Sequence, residues 1–171
     1  MAFCILFEKK VIMKPKKVLY TIILLFFFSA LNAQHITTTT IDQLYKRTTK
    51  SDTTFIINFW ATWCAPCVEE LPGFEKLSEA YKTDKIKVLL VSLDYTSQIE
   101  KALKPFIKKQ NFQNEVLLLR EDDQQAFIDK VGSSWSGALP ATIFIRQDKK
   151  TFFEKTFTYV ELVNTYKNFK Q

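Results

Sequence analysis

Three features of this 171-residue sequence predict an α/β fold, a mixed central sheet flanked by helices. Nearly unbroken apolar runs recur, as in Phe55–Trp60 and Ile86–Leu93, which is how strands buried on both faces read. Between them lie segments with apolar residues at helical spacing. Near the C-terminus two apolar runs are separated only by Asp148-Lys149-Lys150, so they must return antiparallel. Alternation followed by a hairpin gives a sheet that is parallel in one part and antiparallel in another.

The elements follow in order. His35–Thr40 is polar and β-branched and reads as an extended arm. Ile41–Thr49 reads as a short helix with Ile41, Leu44 and Tyr45 on one face, and Lys50-Ser51-Asp52 as a turn. The strand Phe55–Trp60 leads into a long helix over Cys64–Tyr81, with Leu71, Phe74, Leu77 and Tyr81 inward and a kink expected at Pro72. After the strand Ile86–Leu93, one helix is expected over Ile99–Lys109, with Ile99, Leu103, Phe106 and Ile107 inward. Val116–Leu119 is a short strand, Gln124–Val131 a helix and Gly132–Gly137 a loop. Strands Ala141–Ile145 and Thr151–Phe157 form the hairpin, and Tyr159–Phe169 closes the chain as an amphipathic helix.

Hydrophobic residues make up 47%, enough for a sizeable core, and no repeat is visible. The first 33 residues read as a secretory signal peptide. Lys14, Lys16 and Lys17 precede an apolar run, Val18–Leu31, too short for the roughly 20 residues of a spanning helix. Ser29-Ala30-Leu31-Asn32-Ala33 supplies the small residues of a cleavage site, placed after Ala33. The alternative is an uncleaved anchor that tethers the protein to the membrane. Met13 begins a more conventional leader than Met1, so translation is expected to start there. The mature protein, residues 34–171, is then expected in the periplasm or another extracytoplasmic space.

The leader holds five lysines and one glutamate, a charge of +4, so the formal +6 of the whole chain falls to +2 without it. Nucleic-acid binding loses its compositional support. Cys4 leaves with the leader, and the mature chain keeps only Cys64 and Cys67. No structural disulfide framework is available, although an oxidising compartment would permit one.

Trp63-Cys64-Ala65-Pro66-Cys67 carries the chemistry. Two cysteines separated by two residues can bridge a single helical turn, and here a buried strand delivers them to a helix N-terminus. Unpaired N–H groups and the positive end of the helix dipole favour a thiolate there, which makes Cys64 the nucleophile. Cys67, one turn on and more buried, resolves the mixed disulfide. Pro66 fits the first turn, where its missing N–H costs nothing. A zinc site needs two further ligands, yet the mature chain adds only His35, in the arm. No metal and no cofactor beyond the Cys64–Cys67 disulfide are expected. Glu69 and Glu70 read as acids that complement the helix dipole, without a catalytic role. Trp60 reads as core. Trp135 either lines a groove or caps the core, the latter being favoured.

Phe59-Trp60-Ala61-Thr62-Trp63-Cys64-Ala65-Pro66-Cys67 closely resembles the thioredoxin-like TlpA/ResA group of exported bacterial oxidoreductases. Glu69-Glu70-Leu71-Pro72 and Gly137-Ala138-Leu139-Pro140-Ala141-Thr142-Ile143-Phe144 resemble the same group. The resemblance implies a thioredoxin fold in which Pro140 is cis and packs beside the dithiol, while the backbone of Leu139 pairs with the substrate chain. Trp63, Ala65, Pro66, Leu139 and Pro140 are accordingly the expected supporting and substrate-binding residues. Cytosolic thioredoxins carry a buried aspartate at the position of Asn58, and an amide cannot take a proton from Cys67. Members of the group can use a carboxylate near the end of the next strand, and Asp94 is the candidate acceptor, against the alternative of a solvated strand-end acid. Ala141 stands where a threonine is common, a mild departure.

The resemblance implies a thiol–disulfide oxidoreductase acting on disulfides of exported proteins, cytochrome apoproteins among them, in the reducing direction and supplied by an upstream membrane electron donor. A disulfide oxidant or isomerase is the nearest alternative. A peroxidase of the same fold would need a threonine-and-cysteine loop ahead of Cys64, which is missing. A soft-metal carrier would want a histidine or methionine nearby.

Overall fold

The computed structural model describes residues 36–171. The leader, its cleavage site, the start at Met13, Cys4 and His35 lie outside the described residues.

Six strands form one sheet in the order β1-β4-β3-β2-β5-β6. They are β1 (Thr37–Thr39), β2 (Thr54–Trp60), β3 (Ile86–Ser92), β4 (Glu115–Leu119), β5 (Ala141–Arg146) and β6 (Lys149–Phe153). The run β1-β4-β3-β2 is parallel, whereas β5 and β6 are antiparallel to their neighbours. Every residue of β2 is buried, which is why its sequence is nearly all apolar. Its alternating side chains feed two cores. Ile56, Asn58 and Trp60 face one way; Phe55, Ile57 and Phe59 face the other.

Helices α1 (Ile41–Thr48), α2 (Ala65–Ala80), α3 (Lys104–Gln110), α4 (Gln124–Val131) and α5 (Tyr159–Lys170) cover both faces. Leu71, Phe74 and Leu77 of α2 share one core with Ile107 of α3 and with Leu162, Tyr166 and Phe169 of α5. Ile41 and Leu44 of α1 and Phe127 and Val131 of α4 build the other. Each such side chain removed from water contributes about 1.5–3 kcal/mol. Local sequence sets the helix starts. Thr40 with Gln43, and Thr158 with Glu161, close capping boxes at α1 and α5. Among the described residues no helix is long and apolar enough to cross a membrane.

Four segments differ from the sequence reading. The expected arm is an edge strand, because Thr37–Thr39 pair with Leu117–Leu119. The helix expected over Ile99–Lys109 is instead a π-turn, Ile99–Leu103, followed by α3. Pro105 lacks the N–H that would bond Lys101, and the wider turn has Lys104 N–H donate to the Ile99 carbonyl. The hairpin turn falls at Gln147 (φ 54°), so β6 begins two residues early. It also ends early, because Phe157 N–H donates to the Glu70 carboxyl (2.7 Å) rather than to a ladder. Finally, α2 starts at Ala65 with Cys64 as its N-cap, and it continues through Pro72.

Candidate active site

The apolar strand β2 ends at Trp60, and Ala61-Thr62-Trp63 carries the chain over to α2. Cys64 N–H donates to the Ala61 carbonyl (3.1 Å), and Val68 N–H donates to the Cys64 carbonyl (3.1 Å), which starts the helix. Cys64 and Cys67 are joined in a disulfide with Cα atoms 5.3 Å apart. The two sulfurs are not equivalent in access: Cys64 is 7% exposed and Cys67 is fully buried. Attack from solvent therefore meets Cys64 first. On reduction, the helix N-terminus favours the thiolate at that position.

Ala65 and Pro66 are exposed beside the disulfide, with Pro66 in the first turn of α2. Trp63 is 53% exposed at the mouth of a groove of about 350 Å³. Tyr95, Phe127, Ile128, Trp135 and Leu139 continue this largely aromatic wall, with Asp94 and Arg120 between them. The Leu139–Pro140 bond is cis. Pro140 is buried, and Leu139 packs against both cores, the one containing Cys64 and Cys67 and the one containing Trp135. Trp135 both lines the groove and caps the core: it stacks on Phe59 (5.7 Å) and donates its Nε1–H to the Ala138 carbonyl (2.8 Å). Trp60 is fully buried against Phe106 and Phe112.

Asp94 is fully buried, not a solvated strand-end acid. Its carboxylate accepts from Thr62 N–H (3.1 Å), from the Thr62 hydroxyl and from the Ser92 hydroxyl (2.7 Å). Arg120 Nη1 in turn donates to the Asp94 carbonyl (3.0 Å). The oxygens of Asp94 are thus occupied in tying the loop ahead of Cys64 to the end of β3.

Glu70 is the residue that sequence reasoning passed over. It lies in the second turn of α2, beyond the reach of a dipole argument, and is 4% exposed. Three residues after Cys67, it shares the buried face of the helix with it. Oε1 accepts from Asn58 Nδ2–H (2.8 Å) and Oε2 from Phe157 N–H (2.7 Å). Burial raises its pKa to about 7, against the opposing pull of these two hydrogen bonds. The available signal was the position itself: Cys67, Glu70, Leu71 and Phe74 fall on the inward spacing of one helix. Among the described residues no group of three or more His, Cys, Asp or Glu side chains gathers in a way that could hold a metal ion.

A family model described as AhpC/TSA matches residues 23–151, more than half of the chain. Over 94 residues the chain is 32% identical to the thiol-disulfide oxidoreductase ResA of Bacillus cereus, covering 55% of this chain and 49% of that protein. Over 53 residues it is 38% identical to the sporulation thiol-disulfide oxidoreductase A of Bacillus subtilis, covering 31% of this chain and 32% of that protein. The chain spans about a third to a half of the length of the curated relatives it matches. A thioredoxin-related protein from Neisseria meningitidis superposes with a TM-score of 0.60 at 22% identity, covering 72% of this chain and 88% of that one, which shows the thioredoxin fold.

Proposed function

Because the chain belongs to the AhpC/TSA family of thioredoxin-like proteins, we propose that it is a thiol–disulfide oxidoreductase that reduces disulfides of exported proteins. The observation that carries this reading is the asymmetric disulfide at the N-terminus of α2, its outer sulfur partly exposed beside a groove and its inner sulfur buried.

In the reduced protein the Cys64 thiolate attacks one sulfur of a substrate disulfide. A Cys64–substrate bond forms, and the other substrate sulfur leaves as a thiolate that takes a proton from water. Cys67 then gives its proton to the Glu70 carboxylate and attacks the Cys64 sulfur. The Cys64–Cys67 bond forms, and the second substrate thiolate departs. Two electrons pass from the protein to the substrate. A carboxyl with a pKa of about 7 can both accept and release that proton near neutral pH. Asp94 serves by holding Thr62, and hence the loop that presents Cys64. Trp63, Leu139 and the groove receive the substrate chain.

Residues 1–33 act as the export signal, and residues 34–171 form the working domain. An upstream membrane electron donor regenerates the dithiol. The likeness to proteins named thiol-disulfide oxidoreductase supports protein disulfides as the substrate class; cytochrome apoproteins among them are what the resemblance to the TlpA/ResA group implies.

The test is a trap. Cys67→Ala expressed in its own compartment should accumulate mixed disulfides through Cys64, and their partners identify the substrates. If no Cys64-linked partner forms and the wild type fails to reduce a protein disulfide, the oxidoreductase reading is lost. With Cys67 in place, Glu70→Gln should slow reduction of the same protein disulfide at pH 7 by about a hundredfold, the lower end of general acid–base contributions; an unchanged rate removes Glu70 from the mechanism.

A further inference from the structure

Asn58 stands on β2 directly opposite Thr142 on β5. Its fully buried amide reaches two partners at once: Nδ2 donates to Glu70 Oε1 (2.8 Å) and to Thr142 Oγ1 (3.1 Å). Its Oδ1 is buried with no donor. A buried acceptor left unpaired is unfavourable by roughly 1–3 kcal/mol, so the arrangement needs a physical reason.

The two partners differ in kind. Thr142 Oγ can accept or donate, and Glu70 Oε1 accepts when ionised but donates when protonated. Half a turn about χ2 of Asn58 exchanges Oδ1 and Nδ2. Oδ1 would then accept from both the Glu70 carboxyl O–H and the Thr142 hydroxyl. The present orientation suits a carboxylate and the turned one a carboxylic acid. Aspartate could not do this, since it has no N–H to offer an ionised Glu70.

We propose that Asn58 is a positioning residue whose amide turns over with the proton on Glu70, so that the buried carboxyl stays hydrogen-bonded in both states. The turn reports the proton to Thr142, two residues after the cis Pro140 and three after Leu139, which lines the groove. The proton comes from the Cys67 thiol in the resolving step, so the functional use of the switch rests on the role proposed for Glu70. Few other groups bear on that carboxyl. Along α2 there is Cys67. From the segment before α5 there is the Phe157 N–H, flanked by Lys155 and Glu161, which are exposed and paired with each other (3.0 Å). From the sheet there are only neutral Asn58 and Thr142.

The experiment is NMR titration of the full oxidised protein, following the Glu70 carboxyl carbon and the Asn58 side-chain NH2 group. Both should titrate with one midpoint. The NH2-to-Thr142 contact should be present above it and absent below. Glu70→Gln, which presents a donor at every pH, should hold the low-pH pattern throughout. As a second variant, Asn58→Leu removes a donor from the carboxylate and an acceptor from the acid, so the two losses offset and the Glu70 midpoint should move by less than about one pH unit. An Asn58 contact to Thr142 that persists through the Glu70 titration would overturn the proposal, as would a rise of well over about one pH unit in Asn58→Leu, which would mean that only the carboxylate is held. The catalytic reading of Glu70 fails instead on its exchange kinetics, so the two failures are distinguishable.

Discussion

Replacing Glu70 by glutamine should make the oxidised protein more stable at neutral pH and change it little in acid. The pKa of Glu70 rises from 4.5 to about 7 on folding because burial penalises the carboxylate. At ~1.36 kcal/mol per pKa unit, ionising it in the folded state costs about 3 kcal/mol more than in the unfolded chain. Between these two pKa values the folded chain binds more protons at Glu70 than the unfolded chain. Stability therefore falls as pH rises through this window and levels off above the folded pKa. Glutamine does not titrate. Its carbonyl can accept from Phe157 N–H and its amide can donate to a turned Asn58 Oδ1, so the local bonds survive. The variant should gain on the wild type across the window by up to about 3 kcal/mol, roughly 10 °C in Tm for a domain of this size. Guanidinium unfolding at a series of pH values from about 4 to 8.5, with the disulfide intact so that Cys67 does not titrate, measures this directly. Parallel stability curves for the two proteins would mean that burial does not raise the Glu70 pKa on folding.

Three further outcomes are expected. Thr62→Val deletes the hydroxyl donor to buried Asp94 and should lower unfolding free energy by ~1–3 kcal/mol, while Thr62→Ser keeps the bond and should come close to the wild type by chemical denaturation. Trp63→Ala, at a site 53% exposed, should alter stability by no more than about 0.5 kcal/mol yet reduce kcat/KM for a protein disulfide by about tenfold, as expected for loss of an aromatic contact; equal losses on a small-molecule disulfide would argue against a contact role. Gly137→Ala meets two obstacles, a φ of +87° and a new Cβ only 3.0 Å from Ile128 Cδ1, and should cost about 1–2 kcal/mol, visible as a lower Tm.

Most of the framework is legible in the order of residues. Buried strands reveal themselves as apolar runs because both of their faces exclude water, as in β2. A dithiol at a helix start is legible because spacing along one turn is local. Which polar residues belong to the site depends on the folded packing. Glu70 reads as a surface acid until α2 turns it toward Asn58 and the Phe157 backbone, 12 and 87 residues away along the chain. Asp94 reads as either buried or solvated until Thr62, 32 residues before it, occupies its oxygens. The polar Thr37–Thr39 segment becomes a strand only because β4 offers it an edge. In each case the deciding partner is distant in sequence. The free energy of burying a charge or of pairing a backbone depends on that partner, and no local pattern of residue types carries it.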